Sequence, residues 1–222
     1  MNFTRRSALI FSILFIFVYS VWGESLSLRI EPGPHWKETT FFFIFPFSHY
    51  PQMAAWIETP EGRVIKPLLI SQSAATKRWR GNPEGGRPES LPVWYYKGAS
   101  IDTQYIDTTT SPTPTKGTEI KYSRADLIPG AEYIVRLEVN NSFDYNTTWP
   151  KKAKPGQSGY SGVNGQPSLI YEAVFRAGIP GETMLYPVGQ GSVDGSDGSI
   201  RPHLEGLTTA LSIVSRAVLI QE

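Results

Sequence analysis

Residues 127–146, LIPGAEYIVRLEVNNSFDYN, are the stretch whose pattern decides the fold. Pro129-Gly130 is a turn dipeptide, because proline presets its own φ and glycine accepts positive φ. Strict alternation follows, with Tyr133, Val135, Leu137 and Val139 on one face and Ile134, Arg136, Glu138 and Asn140 on the other. A period of two after a turn predicts a half-buried strand of an antiparallel sheet, one face on a core and the other toward water. The polar end of the stretch holds Asn140, Asn141, Asp144 and Asn146. Such residues cap turns through their side chains, and at a sheet rim they can also hold a ligand or cation.

Working outward, residues 25–31 alternate with Leu26, Leu28 and Ile30 on one face and predict the first strand. Residues 41–47 are almost wholly apolar and predict a strand covered on both faces. Residues 53–59 and 63–70 flank Pro60-Glu61-Gly62 and predict a hairpin, with Glu58 and Arg63 solvated near its tip. Residues 119–122, 168–175 and 184–188 are further strands. Near the C-terminus a short helical turn at 204–211 precedes a final strand. The 20 glycines and 18 prolines suit many turns between short strands and stay below the excess that marks disorder. The expected fold is all-β, an immunoglobulin/fibronectin-III-like antiparallel β-sandwich with long loops. Tyr133 resembles the corner tyrosine that closes one end of such sandwiches.

The chain has 222 residues, and the expected division is a signal peptide at 1–23 and a single β-sandwich domain at 24–222, with a loop excursion at about 71–111. Arg5 and Arg6 precede an apolar run from Ala8 to Trp22 that is short for a membrane span. Val21-Trp22-Gly23 then offers small residues at the cleavage positions. The expected location is periplasmic or secreted, with no membrane span after cleavage. The net charge of +1 supplies no field for nucleic acid or anionic membranes. The absence of cysteine excludes thiol catalysis, thiolate metal sites and iron–sulfur clusters.

Candidate sites fall in the loops. Trp79, Arg80, Trp94 and Tyr95 sit in the excursion beside Arg78 and Arg87, where exposed aromatics and guanidinium groups could stack on a sugar or clasp a partner peptide. The competing reading puts the tryptophans in a minor core under the loop. Asp194 and Asp197 in DGSDGS offer oxygen ligands of the kind calcium takes, with His203 nearby, but the spacing departs from the helix-loop-helix calcium pattern. A tight Asp-Gly turn explains the same residues. The histidines His35, His49 and His203 are scattered, and no G-x-S-x-G elbow occurs, so no serine triad is legible.

Several phrases in order, including PQMAAWIETPEGRVIKPLLIS, RPESLPVW, PGAEYIVRLEVNNSFDYN and GQPSLIYEA, resemble an uncharacterised family of predicted periplasmic proteins, domain of unknown function DUF2271. The resemblance covers residues 51–220. It implies a single immunoglobulin-like sandwich and an association with exported flavin-linked redox systems, in which FMN is attached to threonine in D-x-x-[ST]-G-A-[ST]. Asp107, Thr110 and Thr113 occupy the matching positions, with Ser111-Pro112 in place of Gly-Ala. The residues therefore predict no cofactor, with FMN on Thr110 and calcium at Asp194 and Asp197 as alternatives. The expected role is an exported, non-catalytic sandwich that binds another periplasmic or surface protein, or a small ligand. A flavin-redox accessory and a metal-binding module or metal-dependent hydrolase are the rivals.

Overall fold

The computed structural model describes residues 25–42, 44–77, 86–98, 109–111 and 113–222. The proposed signal peptide, Trp79, Arg80 and Asp107 lie outside these residues. The architecture is a sandwich of two sheets. One is built from β10 (Gly181–Met184), β12 (Val214–Gln221), β1 (Ser25–Pro32) and β7 (Thr118–Ser123), in that order. The other runs β11 (Tyr186–Gln190), β9 (Leu169–Arg176), β8 (Glu132–Asn140), β4 (Gln52–Glu58), β5 (Val64–Ser71) and β6 (Thr109–Ser111). Every pairing is antiparallel except β5 with β6. The order β5-β4-β8-β9 opposite β7-β1 is compatible with the C′-C-F-G and E-B arrangement of immunoglobulin-like sandwiches. The last strand, β12, lies beside β1 where the first strand of those domains lies.

The core forms between the sheets because alternation puts one apolar face of each strand inward. Leu26, Leu28 and Ile30 of β1 meet Met53, Ala55 and Ile57 of β4, Val135, Leu137 and Val139 of β8, and Tyr171, Ala173 and Phe175 of β9. Each fully buried aliphatic side chain contributes about 1.5–3 kcal/mol. Tyr133 closes the corner ahead of β8: its hydroxyl accepts the Ile128 N–H at 2.9 Å, and its ring lies against Phe175. Gly130 adopts φ +81° in the turn and donates its N–H to the Ala177 carbonyl. A short 3₁₀ turn precedes β12, but it spans Thr209–Ser212 and not the 204–211 that the C-terminal pattern predicts.

Two expectations are corrected. Residues 41–47 are not a covered strand. They belong to a hairpin of β2 (Glu38–Phe42) and β3 (Phe45–His49) that pairs with neither sheet, and β3 is exposed along most of its length. Glu58 is not solvated but 1% exposed. Both corrections have one source: hydrophobicity and charge report what a residue prefers, while the neighbours that cover it come from distant parts of the chain.

The excursion folds as α1 (Gln72–Thr76) and α2 (Pro92–Gly98) before reaching β6. It covers the outer face of the six-stranded sheet with a second core of Ala54, Trp56, Ile70, Leu91, Val93, Trp94 and Ile170. Trp56 is wholly buried, and its ring centroid lies 5.5 Å from that of Trp94. Replacing Trp94 with Ala should therefore cost about 3–5 kcal/mol in urea unfolding. A loss below about 1 kcal/mol would show that this ring is not a core residue.

Candidate binding site

Among the described residues, the β2–β3 hairpin carries several of the most exposed large apolar side chains. Ile44 is 81% exposed, Phe45 69% and Phe47 50%. At its root the Phe47 and His49 rings stack at 5.6 Å, and His49 meets Phe143 edge-on at 5.8 Å. Burial pushes the His49 imidazole below its ordinary value, so the neutral ring donates Nε2–H to the Ser142 carbonyl at 2.8 Å. The arm and the loop after β8 thus form one aromatic rim.

Phe143 itself is held at φ +65°, a region that bulky residues rarely enter. Its N–H donates to the Val163 carbonyl at 2.7 Å, and the Asp144 N–H to the Asn164 carbonyl at 2.9 Å. The Thr209 hydroxyl donates to Asp144 Oδ1 at 2.5 Å. Gly165 permits this approach, since a Cβ there would meet the Asp144 carbonyl carbon at 2.3 Å. Arg87, 7% exposed, ties the excursion to the same rim by donating to Ser142 Oγ, Asn164 Oδ1 and Glu89. The surrounding bonds over-determine a strained backbone that turns an aromatic ring outward, an arrangement that clusters at functional sites.

The described parts of the excursion buttress this surface, and of the expected residues Trp94 and Tyr95 fall within them, while Trp79 and Arg80 lie outside the described residues. Trp94 is buried at 5% exposure. Tyr95 is half-buried, with Lys77 Nζ over its ring at 5.1 Å. Thr110 lies in β6, its backbone opposite Ile70 at the sheet edge, and Thr113 donates its hydroxyl to the Pro51 carbonyl.

The DGSDGS segment is a set of side-chain-capped turns. Asp194 Oδ1 accepts from Ser192 Oγ and the Ser196 N–H, and these bonds hold its carboxyl down at about 2. Asp197 accepts the Ser199 N–H and pairs with Arg201 at 2.9 Å. His203 Nδ1 meets Gln190 Nε2 at 2.7 Å. Among the described residues no three His, Asp or Glu side chains gather as a metal-holding group. The three histidines are engaged with Glu38, the Ser142 carbonyl and Gln190 respectively.

Alternation alone did not reveal the buried carboxylates on the outer face of the six-stranded sheet. Glu58 accepts from the Trp56 indole, Arg136 and Lys97. Burial pushes its carboxyl up, but these three donors more than offset it and leave it below the ordinary range. Glu138 is wholly buried. It accepts the Val93 and Trp94 N–H groups at the start of α2, at 3.2 and 2.7 Å, and the Ser168 hydroxyl at 2.6 Å. No cation is among these partners, and burial pushes its carboxyl up to about 7.

A shallow groove of about 320 Å³ opens beside the Asp-Gly turns, lined by Trp149, Pro167, residues 190–194, Ser196, Arg201 and His203. The fold and these surfaces define an all-β sandwich with an apolar arm, an aromatic rim and a polar groove. No family model, curated protein or solved structure matches the chain.

The Glu138 environment has a pH consequence. Its folded carboxyl holds a proton up to about pH 7, while the unfolded carboxyl releases it near its ordinary 4.5. The stabilisation is complete below the unfolded value and is lost as pH rises through 7, an effect on the order of 3 kcal/mol. Asp144, also raised by burial, acts in the same sense. His49, lowered by burial, acts oppositely and loses stability as pH falls below its ordinary value. Unfolding free energies of the wild type and Glu138→Gln between pH 5 and 8 isolate the Glu138 part. Their difference should change by about 2–3 kcal/mol across that range, and parallel curves would show that Glu138 titrates normally.

Proposed function

We propose that this chain is an exported, non-catalytic binding module whose sandwich holds out an apolar arm to dock on a partner protein. The observation that carries the reading is the exposure of Ile44, Phe45 and Phe47 on a hairpin that neither sheet covers. Large apolar side chains grouped in exposure on one hairpin cost solubility unless they are buried in a complex. Aromatic side chains are the favoured anchors of protein interfaces.

The base of the arm argues for a protein rather than a lipid surface. It carries Thr39, Thr40 and Ser48, and its Glu38 is paired with His35. Arms that insert into anionic bilayers rely on a collar of several cations. Here Lys37 is the cation adjoining the arm in sequence. No helix of the described residues is long and apolar enough to cross a membrane.

Export is supported by the basic-then-apolar start of the chain. The flavin-redox reading rests on the family resemblance and the degenerate motif at Thr110.

A photo-crosslinking residue placed at Phe45 in the exported full chain tests the proposal. It should yield a discrete protein adduct that is absent when the same probe replaces Tyr186, which is 64% exposed on β11. Phe47→Ser in the same chain should remove the adduct while the domain still melts cooperatively. Lipid adducts alone, or protein adducts equal from both positions, would overturn it.

A further inference from the structure

We infer that the groove between Trp149 and His203 is a binding site for a neutral carbohydrate. A sugar ring has one apolar face of C–H groups and a rim of hydroxyls that both donate and accept. A site for it needs an aromatic plane beside polar groups of both kinds. The groove supplies these in a volume of about 320 Å³, at the small end of ligand sites, which run about 300–1,000 Å³. Its apolar part is Trp149, Pro167 and Val193, and the remaining side chains are amide, hydroxyl, carboxylate, guanidinium and imidazole. Much of this polar lining is bonded within the protein, but the exposed Asp194 carboxylate and the second ring nitrogen of His203 keep hydrogen-bonding capacity that an apolar ligand would leave unused.

Charge narrows the ligand further. The Arg201 guanidinium is taken by Asp197, bonded at 2.9 and 3.3 Å. Asp194 is exposed and ionised, and it disfavours an anion. The local field is therefore poor for phosphate and suits hydroxyls, which can donate to a carboxylate. With Gln190 Nε2 donating to His203 Nδ1, His203 keeps Nε2–H as a donor. Gln190 is 3% exposed, and its Oε1 has no hydrogen-bond partner among the described residues.

The site is also rigid before any ligand arrives. Gln190 and Arg201 exchange both backbone hydrogen bonds. Tyr96 donates its hydroxyl to the Gly195 and Ser196 carbonyls, and its ring lies against Gly198. Gly191 sits where a Cβ would strike Ser168 Oγ and Pro92, so the groove floor rests on α2. A side chain at Gly206 would meet the Trp149 ring at 3.0 Å, so this glycine leaves room for the ring. Preorganisation of this kind lowers the ordering cost of binding. The site is distinct from the apolar arm and does not depend on the partner reading.

The test titrates the full chain with three neutral probes, cellobiose, maltose and N,N′-diacetylchitobiose, at up to about 20 mM, using saturation-transfer NMR and tryptophan fluorescence. At least one should bind with Kd of about 1 mM or tighter. His203→Ala, at an exposed position, should weaken it about tenfold with a cooperative melt retained. Trp149→Ala should abolish the fluorescence response, and if that variant fails to fold, His203→Ala decides. Silence from all three sugars overturns the inference. So does sugar binding that His203→Ala leaves unchanged, or a groove that answers inorganic phosphate or calcium and not sugar.

Discussion

The buried carboxyl group of Glu138 is the constraint on which the outer half of the molecule depends. It sits in the middle of the six-stranded sheet, on the face turned away from the main core, without exposure to water. A buried carboxyl group without hydrogen-bond partners is costly, so the two backbone N–H groups that open α2 and the Ser168 hydroxyl are obligatory partners. Those N–H groups are among the donors that a helix start leaves unsatisfied. One interaction thus satisfies a strand side chain and a helix end together, and it fixes where the excursion crosses the sheet.

Much else follows from that placement. With α2 seated, Trp94 packs on Trp56, and Lys97 reaches Glu58. Tyr96 then grips the Gly195–Ser196 turn, and Arg87 reaches Ser142 and Asn164. The polar groove and the aromatic rim are therefore both braced by the excursion, although neither is made chiefly from it. Among the described parts of the long excursion, Arg87 and α2 lie behind the rim and the groove as their support.

The legible part of the fold was the part governed by local periodicity. Tyr133, Val135, Leu137 and Val139 alternate because one sheet face meets the main core, and a two-residue period is enough to find that face. The opposite face was not legible. Glu138 and Asn140 are polar, so alternation assigns them to water, but both are buried under elements encoded tens of residues away. Glu58 fails for the same reason, since its partners Lys97 and Arg136 are distant in sequence. The apolar run at 41–47 fails in the reverse sense, because hydrophobicity cannot distinguish a strand that is covered from one held outward. Asp194 and Asp197 were legible as turn residues, and Gln190 and Trp149 carried no local signal that they share a groove.

The strain at Phe143 bears on how the exposed surfaces are kept apart from the folding core. An aromatic residue at positive φ costs roughly 1–3 kcal/mol, and glycine would remove that cost. Such a cost persists where surrounding bonds hold the segment and the side chain has a use. The bonds from Val163, Asn164 and Thr209 hold it, and the ring they turn outward continues the aromatic face that begins at Phe47 and His49. A sequence selected for stability alone would place glycine or asparagine there and bury fewer polar groups beneath it. The arm, the strained ring and the buried network under them therefore read as one surface, presented outward at a cost in stability that the two cores offset.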